Sequence, residues 1–339
     1  MPDPLRVACV GAGYFAQFHY QSWARLPQVA LVGSCDQDLD KAKATGAPAF
    51  DDLSAMLRAT RPDVLDIILP PAAHADAIRI AMRAGVRTMI CQKPFCTSLD
   101  EARKVTAEAE AQGVTLVIHE NIRFQPWYRR AFEVMTSGVL GEVMQCTFRL
   151  RPGDGQGPDA YLARQPYFQK MERFLVHETA VHWIDTFRFL LGEPLAVYAD
   201  LRRLNPAIAG EDAGVIVFDH ANGARAIFDG NRHLDHAAQN ARATMGEALI
   251  EGTQATLSIS GDGRLTLRSF GAQQTQEVLA PTDFDGFGGD CVHALQTHVV
   301  GHLDEGTPLE NTARSYLRVI EIEEAIYASA SQARKVWLD

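Results

Sequence analysis

Three groups of residues have types and spacings that suit chemistry. The first is Gly11-Ala12-Gly13-Tyr14-Phe15-Ala16, directly after the strand-like run "RVACV". A tight turn asks for no side chain at Gly11, and close approach of backbone to a pyrophosphate asks for none at Gly13. A small residue at Ala16 lets the following helix pack closely on its strand. That helix N-terminus adds partial positive charge, and Tyr14 and Phe15 lie in the same loop. The second is Lys93 in "MICQKPF", where an apolar run ends in Gln92-Lys93-Pro94. An ammonium there can stabilise a developing oxyanion; the ordinary alternative is a solvated surface lysine. The third is Glu178 with His182, four apart in a helical pattern and therefore about 40° apart around its axis. A carboxylate beside an imidazole can fix the ring as a general base requires. The ordinary alternative is a helical pair contributing only a few tenths of a kcal/mol.

These groups need a scaffold, and the hydrophobic pattern supplies one. Over the first ~120 residues, strand-like runs ("RVACVGA", "VALVGSC", "DVLDIIL", "VRTMIC", "TLVIH") alternate with helical patterns around 15–26, 37–44, 51–60, 72–84 and 98–112. That alternation implies βαβ units and a parallel sheet. Ser98 with Glu101 three residues later reads as a capping box. In such a sheet the strand carboxyl ends face the ligand crevice, which places Leu69, Pro70 and His74 along a dinucleotide. For His74 alone, a histidine at a helix start with no role is the simpler reading. Asp36 ends the second strand, roughly 20 residues beyond the glycines, where an acid can accept from a ribose 2′-hydroxyl. A carboxylate there repels a 2′-phosphate, so NAD is expected over NADP; the competing role for Asp36 is a helix N-cap. After Arg123 the pattern changes to a helix around 127–137, a strand, a Gly/Pro-rich loop, and the long helical pattern 173–192 stopped by Gly192 and Pro194. From 195 to 280 the chain reads as strands with hairpin turns at 221–223 and 261–263, and 288–305 and 312–331 are helical again.

The 339 residues suit two domains, here 1–122 and 123–339, with the terminal helix free to pack back on the first. The fold class is α/β plus α+β: a Rossmann domain with a parallel sheet, then an open-faced, mostly antiparallel sheet with helices on one face. The net charge of −10 and the lack of clustered Lys/Arg argue against a nucleic-acid surface. No apolar run approaches the ~20 residues of a membrane span, and the N-terminal residues lack the features of a signal peptide. Six scattered cysteines without a C-x-x-C pair suit a reduced, cytoplasmic protein. "HETAVH" is superficially like the zinc pattern H-E-x-x-H, but Val181 stands at the second histidine position and His177 is out of phase with His182, so no metal is expected.

Taken in order, the glycine loop, Pro70 with His74, Gln92-Lys93-Pro94, "NIRFQP", "GVLGEV" and "ETAVHWID" resemble the glucose–fructose oxidoreductase / inositol dehydrogenase / rhizopine-catabolism (Gfo/Idh/MocA) family over essentially the whole chain. The resemblance implies a sugar or cyclitol dehydrogenase using NAD, and a homodimer or homotetramer assembled through the C-terminal sheet. Carried over by motif, Lys93 takes the place of the lysine beside nicotinamide and substrate, His182 that of the histidine, and Glu178 that of the family's aspartate. Gln92, Asn121 and Arg123 are expected near the nicotinamide end, and Arg123, Arg164, Trp183 and Asn231 near the sugar. Gln92 stands where the family has glutamate, withdrawing a negative charge from beside Lys93; restoring it is expected to favour the charged lysine. "ENIRFQPWYR", "CQKPF" and "RQPYFQ" resemble the aldose-oxidising branch that includes D-apiose dehydrogenases. An inositol or polyol dehydrogenase, a glycosidase that retains NAD, and a non-catalytic sensor are the alternatives.

Overall fold

In the computed structural model, which describes residues 3–338, the early apolar runs form six parallel strands: β1 (Leu5–Val10), β2 (Val29–Cys35), β3 (Ala49–Phe50), β4 (Val64–Ile67), β5 (Thr88–Gln92) and β6 (Thr115–His119). Between them run α1 (Ala16–Ala24), α2 (Leu39–Ala44), α3 (Leu53–Thr60), α4 (His74–Arg83) and α5 (Leu99–Ala111). Strand order is β3-β2-β1-β4-β5-β6. Every residue of β4 and β5 is buried, as expected for strands covered on both faces. The order reverses between β1 and β4, which opens a crevice at their carboxyl ends. β3 has only two residues and left no periodic signal in the sequence.

The caps follow the sequence with one change of partner. Ser98 accepts the Glu101 N–H at 3.2 Å, as a capping box requires. Glu101 does not reach back to Ser98; its carboxylate accepts the N–H and hydroxyl of Thr97, at 2.9 and 2.7 Å.

The chain divides at Asn121/Ile122. The first unit comprises residues up to Asn121 together with Val292–Arg318, and the second comprises Ile122–Cys291 together with residues from Val319 on. Within the first unit, the late segment is stitched to β6: Asn311 O accepts from Ile118 N–H at 2.8 Å, and Val117 bridges Thr312.

In the second unit, α6 (Pro126–Thr136) leads to β7 (Val143–Leu150), and α7 (Val181–Leu191) leads to β8 (Pro194–Arg202), β9 (Ala213–His220) and β10 (Arg225–Asn231). The short α8 (Ala241–Thr244) precedes β11 (Gly246–Gly252), β12 (Ala255–Ile259), β13 (Leu265–Ser269) and β14 (Gln276–Leu279). After α9 (Phe287–Glu305) and α10 (Ala313–Gln332) comes β15 (Val336–Trp337). The strands form one nine-stranded sheet, ordered β14-β13-β12-β11-β7-β10-β9-β8-β15. Among the described residues of this sheet, only β7 and β10 pair in parallel. One sheet face is covered by α7, whose Trp183 stacks on Phe148 at 3.9 Å between centroids and whose Phe187 meets Phe218. On the other face, Tyr198, Val217, Ile227, Thr147 and Leu249 stand opposite one another in a row across five strands.

Two helical expectations change. The pattern over 173–192 is not one α-helix: Leu175–Ala180 is a π-turn, with Val181 N–H bonded to Val176 O five residues back, and α-geometry starts at Val181. Within α9, Gly288, Gly289 and Asp290 all have left-handed backbone, φ 57, 71 and 64°, so its regular part begins after them.

Candidate functional site

The glycine loop joins β1 to α1. Gly11 has φ +102°, and a Cβ there would come within 2.2 Å of Ile68 O at the end of β4, so only glycine fits. A Cβ at Gly13 would meet no protein atom within 4 Å, which leaves open space on that side of the loop. Ala16 is buried against the sheet. The Asp36 carboxylate ties the loop to β2: one oxygen accepts the Ala12 N–H at 2.8 Å and the other the Asp38 N–H at 2.9 Å. The N-cap of α2 is Asp38, not Asp36. A glycine cradle, an open side and an acid at the strand end fit a dinucleotide. Leu69 is partly exposed and Pro70 exposed, whereas His74 is fully buried with Nε2 at 2.7 Å from Leu69 O. Burial pushes His74 down to about 4, so it is a neutral histidine supporting the Leu69–Pro70 turn from beneath.

Lys93 follows β5, is partly exposed, and precedes a cis proline. Behind it lies a buried hydrogen-bond relay. Gln92 Oε1 accepts the Lys93 N–H at 2.9 Å, and Gln92 Nε2 lies 3.0 Å from His19 Nε2. His19 Nδ1 lies 2.8 Å from Asp66 Oδ2, with both side chains at 0% exposure. The same oxygen accepts from Trp23 Nε1 at 2.8 Å and Gln296 Nε2 at 3.3 Å. The His119 ring lies over His19 at 4.1 Å.

In the second unit, Glu178 lies in the π-turn and His182 in the first turn of α7, with side chains 18% and residue 7% exposed respectively. A relay also backs this segment. Arg232 donates to both oxygens of Asp154, at 3.1 and 2.9 Å, and to Thr179 Oγ1 at 2.6 Å. Thr179 Oγ1 donates to Glu178 Oε2 at 2.8 Å, and Arg232 Nη1 is 3.9 Å from that oxygen. Rings of Phe174, Tyr161 and Phe168 surround the guanidinium at 4.8, 5.1 and 5.9 Å. Burial works against the charge on Arg232, but Asp154, with Tyr161 and Glu178, holds its pKa above the ordinary arginine value.

Two family models match the chain: "Oxidoreductase family, NAD-binding Rossmann fold" over residues 5–120 and "GFO/IDH/MocA C-terminal domain" over 128–258. A D-apiose dehydrogenase from Paraburkholderia graminis is 30% identical over 98% of this chain and 89% of its own length. The chain belongs to the Gfo/Idh/MocA oxidoreductase family. A D-apiose dehydrogenase from Rhizobium rhizogenes is 29% identical over 98% of this chain and 97% of its own. Among solved structures, an oxidoreductase from Agrobacterium radiobacter in complex with NAD+, L-tartaric acid and magnesium superposes with a TM-score of 0.88, at 28% identity and 98% coverage of both chains. As in the family, the first unit is an NAD(P)-binding Rossmann domain and the enzyme an oxidoreductase.

Within this Gfo/Idh/MocA chain several expected site residues hold structural bonds. Trp183 is fully buried, stacks on Phe148 and donates to Tyr128 Oη at 2.9 Å. Arg123 is 9% exposed and grips Asp185 with Nε at 2.6 Å and Nη2 at 2.5 Å, its guanidinium lying over Phe189. Asn121 is 2% exposed. Arg164 donates to Asp154 at 3.2 Å, and Asn231 accepts the His233 N–H at 2.9 Å. The Gln92 amide nitrogen turns inward to His19, and its oxygen meets the backbone N–H of Lys93. His19, Asp66, Asp154 and Arg232 were missed. His19 had left a signal: it is three residues after Ala16 on the buried face of α1, where a polar ring needs partners. Among the described residues, no cluster of His, Cys, Asp or Glu could hold a metal ion, and no helix is long and apolar enough to cross a membrane.

Proposed function

We propose that the chain is an NAD-dependent dehydrogenase that oxidises an aldose, D-apiose or a close relative, at its anomeric carbon to the lactone. The observation that carries this reading is Lys93, a partly exposed ammonium fixed at the carboxyl end of β5 in a sheet whose glycine loop fits a dinucleotide. Similarity to two D-apiose dehydrogenases over 98% of the chain supports the substrate class. Gly11, Gly13, Ala16 and Asp36 would hold NAD, and Asp36 favours NAD over NADP by repelling a 2′-phosphate. Bound NAD+ supplies the hydride acceptor.

The chain's own groups handle the proton and the charge. His182 takes the proton of the anomeric hydroxyl while the C–H pair leaves as hydride and the C–O bond becomes a carbonyl. Glu178 orients the imidazole or holds a neighbouring sugar hydroxyl. Lys93 donates to the oxygen as negative charge develops on it, an interaction that strengthens in the transition state and so raises turnover. A second copy of this chain is proposed to cover the apolar row Tyr198–Val217–Ile227 of the sheet, giving a homodimer or homotetramer that light scattering would resolve from a monomer.

A panel of aldoses, branched pentoses included, and cyclitols, followed by NADH absorbance, tests the proposal. Turnover is expected with an aldose and NAD+. Lys93→Ala should lower kcat by about a hundred- to a thousandfold, the scale of a lost oxyanion donor, with NAD affinity retained. Glycoside cleavage without net NADH would overturn the dehydrogenase reading, and near-normal turnover of Lys93→Ala would overturn the role of the lysine.

A further inference from the structure

The bonds behind Lys93 have only one self-consistent direction. Gln92 Oε1 is committed to the Lys93 N–H, so the amide nitrogen of Gln92 faces His19 and can only donate. His19 Nε2 must therefore accept, which puts its one ring proton on Nδ1, where it donates to Asp66. Asp66 Oδ2 is acceptor to Trp23 and Gln296 as well, so nothing on that side can reverse the chain. The His119 ring lies over that of His19 and Phe15 meets it edge to face.

From this geometry we infer that His19 and Gln92 are a matched pair of positioning residues: the neutral Nδ1–H tautomer of His19, anchored on Asp66, holds the Gln92 amide so that it fixes the backbone of Lys93. The inference rests on the proposed role of Lys93 and adds the device that aims it. It also gives glutamine a reason at position 92. A carboxylate there would face the bare lone pair of His19 Nε2, acceptor against acceptor in a dry site. A proton taken up between them relieves the conflict, and the imidazole, more basic than a carboxylate, is expected to take it and become an imidazolium between Asp66 and the introduced carboxylate. Glutamine meets the same two partners with the ring neutral.

Nitrogen NMR of 15N-histidine-labelled protein with NAD bound tests this directly, the His19 signals being assigned by their loss in His19→Asn. At neutral pH the unmodified chain should show His19 protonated at Nδ1 and bare at Nε2, and Gln92→Glu should show both nitrogens protonated. An Nε2–H tautomer, or a doubly protonated ring, in the unmodified chain overturns the inference. Gln92→Met, similar in shape but without donor or acceptor, should lower kcat about ten- to a hundredfold, as small misplacements of a reacting group do, and leave the Kd of NAD unchanged. Normal kcat in that variant also overturns it. An active Lys93→Ala would sink the role of the lysine instead, while the NMR still decides the relay.

Discussion

Lys93 and Glu178 are held by opposite means. Lys93 stands at the end of a fully buried strand, and what backs it is a line of neutral donors running to one buried carboxylate, Asp66. Glu178 stands in an irregular π-turn, and what backs it is a buried cation, Arg232, shared between two carboxylates and boxed by three aromatic rings. The first arrangement fixes direction, because each hydrogen bond dictates the next. The second places charge, because one guanidinium, ringed by aromatic side chains, lies beside two carboxylates. The group proposed to aim at a reacting oxygen is served by the first, and the one proposed to orient a histidine by the second. π-turns inside helices are frequent at functional sites, and this one falls at the residue proposed to orient the histidine.

The largest expected effect breaks the charge-based region. Arg232→Met keeps much of the volume inside the aromatic box but leaves Asp154 and Glu178 without their shared cation. Removing one partner of a buried ion pair costs about 3–5 kcal/mol. The matching cut in the Lys93 region, Trp23→Phe, removes one of three donors to Asp66 and is expected to cost about 1–2 kcal/mol. Urea unfolding of the two variants measures the contrast; equal losses would mean that Asp66 depends on its donors as heavily as the carboxylates depend on Arg232.

A pH effect of nearly that size belongs to the Rossmann unit. His74 is driven down to about 4 by burial, so the unfolded chain takes up its proton before the folded one does. Stability from this residue is therefore complete above about pH 6.5, falls as the pH drops toward 4, and levels off below that. The total is on the order of 3 kcal/mol. His74→Gln, which keeps a donor for Leu69 O, should flatten the slope of stability against pH over this window. An unchanged slope would assign the acid sensitivity to other groups.

Legibility divides the same two regions. Everything that makes the Lys93 side recognisable is local: apolar runs, glycines at fixed offsets, and a lysine at a strand end. The six-stranded sheet and the Ser98 cap were accordingly plain, and only the two-residue β3 escaped. The relays were not plain, because they join residues 47 apart in one case and 53 and 78 apart in the other. The i,i+4 spacing of Glu178 and His182 pointed to one continuous α-helix, yet such spacing keeps two side chains near one another in a π-turn as well, so spacing alone could not separate them. Arg123 shows the same limit. Its place just after the last Rossmann strand suggested a ligand contact, whereas Asp185, 62 residues on, binds its guanidinium in the fold.

The finest separation of the two regions comes from Thr179→Val. The hydroxyl of Thr179 accepts from Arg232 at 2.6 Å and donates to Glu178 at 2.8 Å, so it is the one point where charge and direction meet. Valine preserves shape and removes both bonds, which should cost about 1–2 kcal/mol of stability. Arg232 stays 3.9 Å from Glu178, so the ion pair remains after the bridge is gone. If charge is what this region contributes, Thr179→Val should be destabilised by that amount and raise KM for the sugar a few fold, with kcat little changed. Gln92→Met, by contrast, is expected to lower kcat and spare the cofactor. A fall in kcat for Thr179→Val as large as that for Gln92→Met would show that Glu178 is aimed as finely as Lys93, and the distinction between a region that directs and one that charges would fail.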